Sequence, residues 1–185
     1  MKDSSTPRHI PGITDFQPPS VKSMQRMLRV ANAWFSPLFL GLDKLDLSKP
    51  ALWVGNHTLY GLFDVPLLVE YLYREEGVFV RGLGDRAHFA VPGWSQLLVK
   101  AGMLLGTPEN CAALMQSGQH VLVFPGGGRE VMRRKGEDYQ LIWKNRSGFA
   151  RLAIEPGYDI IPFGALGAAE NCDLLLDAGE VRRSR

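Results

Sequence analysis

Residues 51–82 read ALWVGNHTLYGLFDVPLLVEYLYREEGVFVRG. The first five, ALWVG, make a short apolar run suited to a buried strand. DVPLLVEYLYRE, from residue 64, has the apolar spacing of a helix, and GVFVRG predicts a second strand. The same alternation continues downstream and decides the fold class.

Downstream, VPGWSQLLVKAG predicts a helix and MLLG a short apolar segment. TPENCAALMQSG is a well-signalled helix, with Thr107 as N-cap, Pro108 in the first turn and Gly118 just past the end. HVLVF reads as a buried strand. SGFARLAIEPG reads as a helix with a Ser147 cap, and YDIIPF as a final strand. Strands alternating with helices imply an α/β fold with a largely parallel central sheet flanked by helices. No internal repeat or low-complexity tract interrupts it.

Upstream, Val21, Met24, Leu28, Ala31 and Phe35 recur at helical spacing, with Ser20 placed to cap the start. Pro37 should end this N-terminal amphipathic helix, because proline lacks the amide donor. The stripe suits a helix covering the core. A second reading is an interfacial helix on a membrane, with Arg26 and Arg29 near the headgroups. The polar, proline-rich start, residues 1–19, reads as a flexible arm, and residues 20–185 as a single domain.

Composition sets the bounds. The 185 residues are enough for one substantial core. A formal net charge of +2 gives no reason to expect nucleic acid. The two cysteines, Cys111 and Cys172, form no CxxC cluster, which fits a reducing compartment and suggests neither a disulfide framework nor a zinc site. No apolar run approaches the roughly 18 residues needed to span a bilayer, and no signal-peptide core appears. The expected location is cytoplasmic, peripheral to a membrane.

His57 and Asp64 flank the turn between the first strand and its helix. If all residues between them were helical, the two would stand about 10 Å apart along the axis, too far for a hydrogen bond. For them to meet, the chain must loop compactly, and Gly61 would help. An imidazole beside a carboxylate suits a general base. The plain alternative is a surface histidine and an aspartate favoured by the helix dipole, and spacing alone supports that alternative better. No third ligand lies at metal-site spacing, and no GxSxG serine elbow is present.

FPGGGRE carries the second signal. Gly126, Gly127 and Gly128 follow the strand ending at Phe124, so their amides can approach a ligand as an anion nest or as oxyanion donors; a tight turn without a ligand is the alternative. Arg129, Arg133, Arg134, Lys135, Lys144 and Arg146 crowd the next stretch, against Glu130, Glu137 and Asp138. They suit either a solvated loop or a patch for a phosphorylated ligand, to which Arg81 and Arg86 would add.

Together these segments resemble the glycerolipid (lysophospholipid) acyltransferase superfamily over residues 50–165. NHTLYGLFD resembles its histidine–aspartate block, and VRGLGDRAHFAVPGWSQLLVKAG the block shaping the acceptor site. FPGGGRE resembles the acceptor-binding block, and IIPF the closing strand. Six residues separate His57 from Asp64, where the phosphatidate-forming members usually have four. Gly126 stands where those members carry a glutamate, while Arg129 matches their arginine. The form proline–glycine–glycine–x–x–glutamate, ending at Glu130, is more similar to the monoacylglycerol and diacylglycerol acyltransferase-like branch.

The resemblance implies an acyltransferase that moves a fatty acyl group from acyl-CoA, or an acyl carrier protein, to a hydroxyl of a lipid or other alcohol acceptor at a membrane surface. His57 would be the base and Asp64 its partner. Gly126–Gly128, Arg129 and Glu130 would serve the oxyanion and acceptor, and Arg81, Arg86, Arg133 and Arg134 the phosphates. No bound cofactor or metal is implied. The chain stops soon after the fourth block, where relatives usually continue. A C-terminally truncated chain is therefore expected, and a non-catalytic acyl-CoA- or lipid-binding module stays as the alternative. A phosphate-binding α/β protein using the glycine loop for a nucleotide ranks third.

Overall fold

Ala51–Gly55 forms β1, and all five residues are buried. A strand can hide both faces only if helices cover both sides of its sheet. The computed structural model describes residues 12–58, 61, 64–137 and 139–167. Residues 1–11, which begin the expected arm, and Asp138, Cys172 and the basic C-terminal end lie outside the described residues.

The chain runs α1 (Val21–Phe35), β1, α2 (Val65–Glu75), β2 (Val80–Gly84), α3 (Arg86–Phe89) and α4 (Trp94–Lys100). It continues as β3 (Leu104–Leu105), α5 (Pro108–Gln116), β4 (His120–Val123), α6 (Gly128–Val131), α7 (Gly148–Ile154) and β5 (Asp159–Phe163). The strands form one five-stranded sheet in the order β3-β2-β4-β1-β5, with every pairing parallel. The expected α/β class is therefore observed.

Alternation along β1 divides the core in two. Leu52 and Val54 join Leu114 of α5, Val121 of β4 and Ala153 of α7 on one face. Ala51 and Trp53 join Met24 of α1, Leu72 of α2 and Val80 of β2 on the other. Leu72 and Leu114 are wholly buried, and each such leucine is worth about 1.5–3 kcal/mol of stabilisation.

Local signals place most element ends. Asp64 caps α2, accepting the Val65 N–H at 2.9 Å, and Pro66 sits in the first turn. The Thr107 hydroxyl accepts the Asn110 N–H at 3.2 Å to start α5. Ser20 accepts the Ser23 N–H at the start of α1, which ends just before Pro37. Three readings need correction. The strand expected from Gly77 starts at Val80, because Val78 N–H bonds back to Leu72 O at the helix end. The Ser147 side chain makes no capping bond. The short helices α3 and α6 were not expected, since four residues are too few to show a period.

The expected arm is packed where it is described. Ile13 is buried in the core beside Leu104, and the Phe16 ring lies 5.4 Å from that of Phe79. On α1 the expected stripe faces inward, with Met24 buried. The opposite face leaves Met27, Val30 and Trp34 exposed, and Leu38 and Leu40 beyond the helix are exposed too. No helix among the described residues is long and apolar enough to cross a membrane.

Candidate active site at the mouth of strands one and four

β1 and β4 lie side by side, but their connections leave toward opposite faces. After β1 the chain enters α2 on the Leu72 side, and after β4 it reaches α7 on the Ala153 side. Divergent loops at the carboxyl ends of neighbouring parallel strands open a crevice, the usual ligand site of such sheets. His57 leaves β1 there, and the glycine loop leaves β4.

The His57 ring stacks on Phe124, with centroids 4.4 Å apart and planes inclined by 28°. Its Nδ1 lies 2.8 Å from the Thr58 carbonyl, an acceptor, so Nδ1 carries the proton and Nε2 keeps the basic lone pair. Burial pulls the imidazole below its ordinary value, against the Thr58 carbonyl and the Asp64 and Glu130 carboxylates, which push it up; His88 adds to the lowering. A base kept neutral by burial yet faced by carboxylates is ready to accept a proton.

Asp64 reaches the histidine indirectly. Its Oδ2 accepts the Thr58 hydroxyl at 2.7 Å, and its Oδ1 caps α2. The direct histidine–aspartate bond weighed from the sequence is absent among the described contacts. Thr58 carries the link instead: it is 1 % exposed, its hydroxyl fixes Asp64, and its carbonyl fixes the His57 tautomer. Gly61 has a φ of +60°, a conformation that glycine tolerates, and donates its N–H to Thr58 O at 3.4 Å. In the sequence, the signal for this link is a threonine directly after the candidate histidine.

The glycine loop makes a tight turn. Gly127 donates its N–H to Phe124 O at 3.0 Å, so it is not a free donor. The amides of Gly126 and Gly128 make no bond among the described residues. Arg146 holds the loop from outside, donating through Nη1 to Pro125 O at 2.9 Å and Gly126 O at 3.0 Å. Glu130 turns inward. Its carboxylate accepts the His57 N–H at 2.9 Å and the Ile142 N–H at 3.3 Å.

The arginines separate. Arg129 pairs with Glu137 at 2.6 Å and donates to Met132 O. Arg133 lines a cleft of about 440 Å³ together with Asn56, Glu130, Tyr139 and Trp143. Arg134 is exposed, and Arg86 is exposed at the start of α3, beyond the carboxyl end of β2. Arg81 does not belong with them. It pairs with Val121 near the amino end of β4, far along the strands from the crevice. Only 1 % exposed, it donates to Gly12 O, Gly102 O and Gln119 Oε1 and lies 3.8 Å over the Phe16 ring. A guanidinium so enclosed is a structural clamp, which corrects the phosphate-binding expectation. Among the described residues no cluster of His, Cys, Asp and Glu is placed to hold a metal ion.

The acyltransferase family model matches residues 37–165, most of the chain and the whole crevice. The chain belongs to the acyltransferase family. Similar family members include phytyl ester synthase 2, chloroplastic, of Arabidopsis thaliana, 34% identical over 76% of this chain and 21% of that protein. Phytyl ester synthase 1, chloroplastic, of the same plant is 30% identical over 92% of this chain and 27% of its own. The mouse "DGAT1/2-independent enzyme synthesizing storage lipids" is 37% identical over 71% of this chain and 39% of its own. The acyltransferase chain thus spans only 21% to 39% of the length of these relatives. No solved structure matches it.

Proposed function

We propose that this chain forms the acyl-transfer domain of a lipid acyltransferase that moves a fatty acyl group from acyl-CoA to the hydroxyl of a lipid or other alcohol. The observation that carries the reading is the His57 tautomer. With Nδ1–H donated to Thr58 O, Nε2 is the basic nitrogen. It takes the acceptor's proton as the hydroxyl oxygen attacks the thioester carbonyl. The Asp64 and Glu130 carboxylates favour the imidazolium that forms. The tetrahedral oxyanion meets the amides of Gly126 and Gly128. Collapse breaks the carbon–sulfur bond, the imidazolium returns its proton to the thiolate, and CoA leaves as the thiol.

Two surfaces support lipid substrates. A groove of about 780 Å³ runs between residues 34–42, α2 and β5, lined by Trp34, Leu38, Leu68, Ile161 and Phe163 with Asp64 among them. It suits a hydrocarbon chain ending at the site. The exposed apolar side chains of Met27, Val30, Trp34, Leu38 and Leu40, with Arg26 and Arg29 nearby, suit contact with a lipid surface. The names of the relatives favour a long-chain or neutral-lipid alcohol as acceptor. Arg86, Arg133 and Arg134 are the cations left for phosphates of the donor, and Arg129 joins them only if it exchanges Glu137 for a substrate.

The test is thiol release from long-chain acyl-CoA, with phytol, monoacylglycerol and diacylglycerol as acceptors, for the wild type and His57→Ala. Acceptor-dependent release lost in His57→Ala supports the reading, and near-normal turnover in the variant rules out His57 as base. Acyl-CoA binding without release selects the non-catalytic module. Transfer from acyl carrier protein alone changes the donor.

A further inference from the structure

Glu130 lies at the centre of the site yet has little room to meet a substrate. It is 1 % exposed, and its two carboxylate oxygens are taken by the backbone N–H groups of His57 and Ile142. A buried carboxylate costs free energy unless its oxygens are paired, so those amides are what it is there to hold. One of them belongs to the base itself.

Gly126 supplies an independent observation. Its φ lies outside the left-handed region, so backbone conformation does not demand glycine. A Cβ there would stand 2.5 Å from Glu130 Cβ and 2.6 Å from Glu130 Cδ, closer than side-chain carbons approach. The space a side chain at 126 would fill is occupied by the side chain of Glu130.

We propose that Gly126 and Glu130 act as one unit, in which the glycine makes room for a carboxylate that positions His57 through its backbone amide. Glu130 is a positioning residue and touches no substrate. The tether joins the loop after β1 to the loop after β4, so the base and the proposed oxyanion amides keep a constant separation. The groups facing the His57 ring are Phe124, the Thr58 carbonyl, and the charges of Asp64, Glu130 and His88. The catalytic part of this inference rests on His57 being the base; the structural part does not.

Three measurements on the full chain test it. Unfolding of Gly126→Ala, Glu130→Gly and the double variant should be strongly non-additive, because only glycine at 130 removes the Cβ that would stand 2.5 Å away. Gly126→Ala should lower the melting temperature by several degrees in the wild type and by little once residue 130 is glycine. Additive losses overturn the shared-space argument. In histidine-labelled protein, the His57 signal, identified by its loss in His57→Ala, should titrate at lower pH in Glu130→Gln, which keeps the side-chain volume and one acceptor oxygen. An unmoved titration overturns the tether. In turnover, Glu130→Gln should lower kcat by about 10- to 100-fold at little changed KM for the alcohol. A raised KM at unchanged kcat would make Glu130 an acceptor-binding residue and overturn the proposal. The first two readings need no catalysis, so they stand or fall separately from the proposed activity.

Discussion

The Thr58 hydroxyl donates to Asp64 Oδ2 at 2.7 Å while the Thr58 carbonyl lies 2.8 Å from His57 Nδ1. One residue therefore sets both the carboxylate and the tautomer of the imidazole. Asp64 also caps α2, so the helix start is tied to the same arrangement. The acid and the base stay ordered without touching.

Thr58→Val tests this bridge with little change of shape. It removes the hydroxyl and leaves the carbonyl in place. Loss of a buried bond to a charged acceptor should cost about 1.5–3 kcal/mol. Acyl transfer should fall about tenfold or more. Denaturant unfolding and thiol release check both, and an unaffected rate would free Asp64 from needing Thr58.

The pH dependence of transfer has a definite sign. Burial holds His57 below the ordinary imidazole value of 6.5, so kcat/KM should rise with pH and level off before neutrality. Asp64→Asn removes a charge that raises this value, and the acid limb should move further down while the rate drops. An acid limb above 6.5 would contradict the burial of the ring.

Arg81→Met should unfold the protein more easily without weakening substrate binding. The change strands the Gly12 and Gly102 carbonyls and Gln119 Oε1, each an acceptor of Arg81. A loss of about 3 kcal/mol or more is expected. Isothermal titration of acyl-CoA into the folded variant should give unchanged affinity. A weakened affinity would return Arg81 to the binding site.

Acid should destabilise the fold through His120. Its Nδ1 accepts the Ala51 N–H and the Trp53 Nε1–H, both at 3.3 Å, so the ring must be unprotonated there. Burial lowers its folded-state value, as it does for His57. The unfolded chain thus binds protons near pH 6.5 that the folded chain refuses. Stability should be full above that pH and fall as pH drops through it toward the folded-state values. In His120→Asn, whose amide oxygen replaces the acceptor, the decline should be shallower. An identical decline would assign it to other groups.

What the amino-acid sequence determined by itself is what neighbouring residues can encode. The buried run of β1, the caps at Ser20, Asp64 and Thr107, and the turn at Gly61 each rest on residues within a few positions of one another. The order of four motifs along residues 50–165 was legible for the same reason. Tertiary structure decided which distant residues meet. Glu130 reaches the His57 amide across 73 positions only because β4 lies beside β1. Arg81 sits in a strand-like stretch, and its role as a clamp follows from Gly12, Gly102 and Gln119 converging on it. Strand order comes from burying both faces of the sheet at once, an energy shared by the whole chain and written in no local window.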